Sequence, residues 1–411
     1  MDKILNHLTS RSVSQDDFRL ISNRRATHTT KISQVTVFHI SIYLILIPFL
    51  YPKGLDQLVP LSKQFFTAWL YLAMLIMLCF LAKHLMNITI QITVRSIFVV
   101  LFFMSSILIT LYDQQGFAEG LQALFAWPLL CLWLTFAFAK DHKSILNAII
   151  NIMIILFLFQ NIFTYLDVYR GQQTACFFGH IQVVAQEAII AFLAVSLYSS
   201  HLPKKSCKRI ILLVALVVLA LWSVDTDSSK VVLILFFIAL ILNKNKKVKL
   251  MIGNSAPMLA AVLIIASLLV VDLSVRNSTL FGFDWGFNGR DYVWREAIGL
   301  IQEEPVLGYG VQGVQMTLFW GGIMNYAHNQ LMQTLLDGGI VLLILFITMI
   351  ITYAVQIRII TDLHARYWIT CALTVYLILM IFDSATYYCY LYLLLPLSDY
   401  YAINQQKTTA G

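Results

Sequence analysis

Continuous apolar runs of about 16–25 residues follow one another along almost the whole chain, and each has the length a helix needs to cross a bilayer. The runs are unbroken rather than alternating, so spanning helices satisfy their backbone where strands of a barrel would not. Only 12% of residues are charged, against about a quarter in soluble domains. These features predict an all-α polytopic membrane protein with about twelve transmembrane helices: 36–51, 66–86, 96–112, 117–139, 144–167, 185–200, 210–224, 228–243, 251–273, 328–354, 367–382 and 386–402. Between the last two, Phe382–Tyr388 reads either as a turn or as a break in one long helix. No internal repeat is visible.

Charge placement sets the expected orientation. The formal net charge is +7, but Lys and Arg gather in short clusters between spans rather than in a nucleic-acid-binding stripe. With residues 1–35 as a cytoplasmic tail, the inner loops hold "KDHK" (140–143), "KKSCKR" (204–209), "NKNKKVK" (243–249), Arg358 and Arg366. The polar, basic tail has no apolar stretch before the first span, so no cleaved signal peptide is expected. Residues 403–411 form a second cytoplasmic tail, and 36–402 the membrane domain. The six cysteines lack CxxC spacing, which argues against a disulfide framework and a zinc site.

One large outer loop, 274–327, is left, and it holds a polar island, "GRDYVWREAIGLIQEEPVLGYG" (289–310). Its first part reads as a short amphipathic helix, capped by Asn288 or Gly289, with Trp294, Ala297, Ile298 and Ile301 on one face. Such a helix is expected at the membrane–water boundary, with Trp294 at headgroup depth. Pro305 ends it, and Gly308 and Gly310 give a tight, close-approach backbone. The loop closes on "NYAHNQLMQTLLDGG", where His328 and Asn329 open the next span and Gly338 and Gly339 allow close helix packing.

Of the nine histidines, His180 and His328 fall at the expected outer face. A histidine there suits proton transfer near neutral pH; the bland alternative is a hydrogen-bonding cap. Lys230, at the outer end of its span, either snorkels or faces a ligand. Together Arg290, Arg295, Lys230 and His328 suit an anionic lipid head such as a pyrophosphate. "DTD" (225–227) resembles a paired-acid metal site, but a solvated span end explains it more simply, and no metal is expected. A secondary transporter is the rival class; its ionisable residues would lie near the bilayer midplane, not at one face.

"GRDYVWREA…PVLGYG…AHNQLMQTLLDGG" resembles the signature of the O-antigen ligase and Wzy-type polymerase superfamily of bacterial inner-membrane glycosyltransferases. The resemblance covers roughly residues 225–345, within an O-antigen ligase/polymerase-like core of about 185–345, and implies a GT-C-like fold. It further implies polymerisation of undecaprenyl-pyrophosphate-linked repeat units into O-antigen, capsule or exopolysaccharide on the outer membrane face, or ligation of the glycan to lipid A–core. It implies Arg290 as a pyrophosphate ligand and His328 as the base; Lys230 and Arg295, by charge and placement, are the further candidate pyrophosphate ligands. Asn329, Trp294, Gly308, Gly310 and His180 support them. The substrate is then the lipid-linked glycan among membrane lipids, with a chain-length regulator as partner and no cofactor or nucleic acid. The sequence departs from the family pattern at Ser229-Lys230, where Ser-Arg is usual, and at His180, where ligases carry an arginine; Arg170 lies ten residues earlier.

Overall fold

A computed structural model describes residues 37–86, 93–113, 120–172, 174–199, 207–276, 279–280, 283–284, 289–317, 321–384 and 388–409. The expected tail 1–35, the last two residues of the expected tail 403–411, and Asn288 lie outside the described residues; 403–409 continue the final helix.

Each expected span falls on helix. The order begins α1 (Val37–Phe49), α2 (Leu55–Leu58), α3 (Ser62–Met86), α4 (Val94–Asp113) and α5 (Gly120–Tyr165). It continues α6 (Ile181–Ser199), α7 (Cys207–Ser223), α8 (Asp227–Leu242), α9 (Lys246–Asn254) and α10 (Ala256–Arg276). The last are α11 (Arg290–Glu303), α12 (Gln330–Arg358), α13 (Leu363–Met380) and α14 (Tyr390–Thr409). Seven helical segments among the described residues are long and apolar enough to cross a membrane. Three two-residue antiparallel hairpins complete the order: β1–β2 (175–176 with 179–180), β3–β4 (279–280 with 283–284) and β5–β6 (316–317 with 323–324).

Polar islands mark the breaks. α5 is two helices joined at Asp141, whose backbone is non-helical. The Asp141 carboxylate accepts from the Ser144 backbone N–H at 3.1 Å and the Ser144 hydroxyl at 2.6 Å, which caps the second half. "KDHK" is thus the joint between two spans, as its charge suggests. At the Phe382–Tyr388 stretch α13 has ended at Met380 and α14 begins at Tyr390, and residues 385–387 lie outside the described residues.

The outer surface is apolar where lipid would cover it. Leu75, Met258, Ile265 and Ile211 are all exposed, as expected for a chain whose solvent is hydrocarbon. Inside, α12 packs along α4 and α10, α14 along α5, and α6 between α5, α7 and α13. A buried ion pair, Arg95 Nε to Asp399 Oδ1 at 2.5 Å, ties α4 to α14.

Gly338 and Gly339 do something other than the close helix packing expected of them. Both have non-helical backbone, so α12 is broken there. A broken helix inside apolar surroundings must find other partners for its backbone groups. The turn at 305–309 supplies them: Tyr309 N–H donates to Leu336 O at 2.8 Å, and Ile340 N–H donates to Pro305 O at 2.9 Å. The approach leaves no room for side chains. A Cβ on Gly308 would lie 2.4 Å from Leu336 O, and one on Gly339 2.2 Å from Val306 backbone. "PVLGYG" is therefore a plug set into the break.

Candidate functional site

α11 begins where Gly289, in the left-handed region at φ 81°, turns the chain into Arg290. The amphipathic face expected on this helix is present, but it meets protein rather than the membrane boundary. Val293, Trp294 and Ala297 are buried among Val271 of α10, Met332 and Leu336 of α12, and Val314, Met316 and Ala327 of the loop. Trp294 is fully buried and donates from Nε1 to Ala327 O at 2.9 Å. The headgroup-depth placement of Trp294 is thus corrected. Periodicity defines an apolar face but not what covers it, and here two spans and the loop's own return strand do. The consequence is geometric: Trp294 fixes Arg290, one turn earlier, to the residue preceding His328.

Asn329 is the buckle of this arrangement. It caps α12, its Oδ1 accepting from Leu331 and Met332 N–H, both at 3.0 Å. Its Nδ2 donates to Ser267 Oγ at 2.9 Å and to Ile381 O at 3.0 Å. Two acceptor positions and two donors exhaust a carboxamide. Asn329 therefore holds α10, the end of α13 and α12 together and has nothing left for a ligand.

His328 takes a positive φ of 50°, uncommon for a side chain larger than glycine. Its ring lies against Tyr326, centroids 4.3 Å apart, and among the described residues its buried Nδ1 has no hydrogen-bond partner. Burial, then the charges of Arg290 and His180, lower its pKa to about 4. It is neutral at physiological pH. His180, at the end of β2, feels the same burial, which lowers its pKa, and its Nδ1 accepts from Gln182 N–H at 3.3 Å.

Arg290 is half-buried. Burial pulls its pKa down, while the carboxylates of Asp383 and Asp227 and the phenol of Tyr326 pull back. Asp383, in the break between α13 and α14, accepts from Gln186 Nε2 at 2.8 Å. Burial raises its pKa against the Ser384 N–H, Gln186 and Arg290, which lower it. Five elements thus converge at one end of the helices: Arg290 from α11, His328 and Tyr326 from the loop before α12, His180 from β2, Asp227 from α8 and Asp383 from the 381–389 break.

The other expected ligands lie apart. Lys230 is exposed and paired with Asp225 Oδ1 at 2.8 Å. Thr226 caps α8 by accepting from Ser229 N–H, and Ser229 is buried. The helix turn therefore points Lys230 back along the chain. Arg295 is exposed, its guanidinium 5.7 Å from the Tyr292 ring. Five positions after Arg290 on a helix, it leaves on a different side. Arg170 is exposed beside Asp167. In "DTD" Asp225 pairs with Lys230, while the charge of Asp227 acts on both Lys230 and Arg290, and among the described residues no three metal-binding side chains group together. Gly308 and Gly310 act through the backbone, Gly310 (φ 78°) against Thr110, whose hydroxyl accepts from Val311 N–H at 3.0 Å.

Asp383, Asp227 and Tyr326 were not visible as site residues from sequence. Asp227 stood inside the "DTD" already singled out; Asp383 carried only the signal of an acid in a break between spans. Beside the cluster opens a cavity of about 880 Å³, reached by His180, Tyr326 and Asp383.

Residues 211–347 match the family model for O-antigen ligase, so the superfamily expected from the motifs is supported over that segment. No curated protein and no solved structure matches the chain.

Proposed function

Proceeding from that family match, we propose that the protein polymerises undecaprenyl-pyrophosphate-linked oligosaccharide repeat units, at the outer face of a bacterial inner membrane with both termini in the cytoplasm. One observation carries the reading: Trp294, one turn after a half-buried arginine, is tied to the residue before a neutral histidine whose buried Nδ1 has no hydrogen-bond partner among the described residues.

In this reading Arg290 holds the pyrophosphate of the donor. Asp383 and Asp227 offset the cost of burying the guanidinium charge, and the site spends no reorganisation at the moment of reaction. The acceptor hydroxyl meets His328. Its oxygen attacks the anomeric carbon, the carbon–oxygen bond to pyrophosphate breaks, and the hydroxyl proton passes to the free imidazole nitrogen. Undecaprenyl pyrophosphate leaves with the bonding pair, and the anomeric centre inverts. Neutral histidine suits this step because no proton need be lost first. Arg290 and His328 are the catalytic pair; Asn329, Trp294, Gly308 and Gly310 are positioning residues. The pyrophosphate leaves against the Arg290 guanidinium with no metal in the reaction, so EDTA leaves the rate unchanged.

The ligase reading, transfer of the finished glycan to lipid A–core, draws on the same site and is equally supported by the matched family. Glycan profiling of a deletion strain separates them. Single repeat units on lipid A–core mean a polymerase. Loss of surface O-glycan, with polymer still on the lipid carrier, means a ligase. An unchanged glycan profile refutes both.

A further inference from the structure

The cavity beside the cluster has a wall that no part of the mechanism above uses. We propose that it is the binding site for the sugar rings of the acceptor glycan, and that residues outside the family-matched segment decide which glycan is accepted. The inference rests on the glycosyltransferase reading and names the substrate part that this cavity holds.

Position argues first. His180, Tyr326 and Asp383 line the cavity, whereas Arg290 and His328 are not among its lining residues. Tyr326 both lines it and packs against the His328 ring at 4.3 Å. The order is therefore cavity, Tyr326, His328. A molecule filling the cavity lies one ring away from the base, against Tyr326 and Asp383, where an acceptor hydroxyl can be presented to His328. Transfer then needs the Tyr326 ring to swing out from between them.

Charge argues second. The walls hold three carboxylates, Asp56, Asp337 and Asp383, and two lysines, Lys53 and Lys63. The acids offset the lysines, so the wall offers no net cationic site for a pyrophosphate, and its charged groups make poor company for a polyprenyl tail. It suits a polyhydroxyl ligand.

Ring geometry argues third. Phe66 stacks on Tyr51 with centroids 4.0 Å apart, and Trp127 stacks on Tyr392 at 5.6 Å, all four lining the cavity. Rigid, flat aromatic walls with a few fixed polar groups match the apolar faces and hydroxyl edges of sugar rings. Tyr51 and Ser62 both donate to Asp56, which fixes that carboxylate for a ligand hydroxyl. Phe66 and Trp127 lie outside residues 211–347.

The test uses the full chain in lipid nanodiscs with two probes. One is glycan released by mild acid from the lipid-carrier pool of a deletion strain; the other is undecaprenyl pyrophosphate without sugar. Phe66→Ala and Trp127→Ala are expected to weaken glycan binding by about tenfold or more and to change undecaprenyl pyrophosphate binding by less than about twofold. Arg290→Ala should do the reverse. Should the alanine variants misfold, Ala123→Trp, which fills the cavity from its wall, is expected to abolish glycan binding alone. Glycan binding that is absent in the wild type, or unchanged in folded Phe66→Ala, Trp127→Ala or Ala123→Trp protein, overturns the cavity assignment and leaves the proposed function standing. Failure of the wild type to bind undecaprenyl pyrophosphate overturns the function itself.

Discussion

With burial, Arg290 and His180 all opposing its protonation, His328 titrates near about 4 rather than at the ordinary histidine value. The base is therefore in its active, neutral form above that value and is lost as pH falls through it. kcat/KM should stay flat from pH 7 to about 5 and decline only as pH approaches about 4; a decline centred near about 6.5 would mean that the site is wetter than its burial indicates. His328→Gln keeps a polar side chain but not the base, and should lower kcat by about 10²–10⁴-fold, measured on purified enzyme with lipid-linked repeat units. Arg290→Ala should cost about 2.7–4 kcal/mol in the transition state, the usual loss of one charge-stabilising donor. Lys230→Ala is the informative contrast. Its exposed pairing with Asp225 gives it no fixed aim at the site, so it should lose less than about tenfold, as exposed pairs are worth little. Loss equal to that of Arg290→Ala would place Lys230 on the phosphate after all. Arg290 and His328 could be named from the chain because a motif carries each. Asp383 and Tyr326 could not, since only folding brings the α13–α14 break and the residue before Ala327 up to α11. Lys230 and Arg295 were grouped with them because sequence shows that residues share a membrane face, not which way each points around its helix.

At the scale of elements, apolar length located the helices and polar islands located their joints. The meaning of the glycines needed coordinates. Gly308 reads as a tight turn and Gly338 and Gly339 as packing residues until the Leu336 and Pro305 carbonyls are seen accepting across the break. Gly308 stands at φ 62° with a carbonyl where a Cβ would go. Gly308→Ala should therefore destabilise by about 1–3 kcal/mol from strain alone, read as a lowered thermal midpoint in detergent. Gly299, in the middle of α11 with nothing within 4 Å of its Cβ position, is the control. Gly299→Ala should raise stability by up to about 1 kcal/mol, because alanine is the better helix former. Equal loss at both positions would mean that the plug is not what Gly308 secures.

For the whole molecule, the all-α membrane class follows from hydropathy, and each expected apolar segment is helical. Which side faces out rests on the Lys and Arg clusters alone. Alkaline phosphatase fused after Glu304 should be active and after Lys247 inactive; the reverse would place the site in the cytoplasm, where the proposed lipid-linked donor chemistry does not belong. The plug in α12 bears on how such a protein can be recombined. A loop outside the membrane is ordinarily exchangeable between relatives, its only obligation being to join two spans. Here 305–309 supplies hydrogen bonds that the span lacks, and a backbone group without them in an apolar interior costs about 1–3 kcal/mol each. Loop and span are one unit of inheritance. A chimera that swaps 274–327 without α12, or α12 without its loop, divides that unit, and productive crossovers should fall before α10 or after α12.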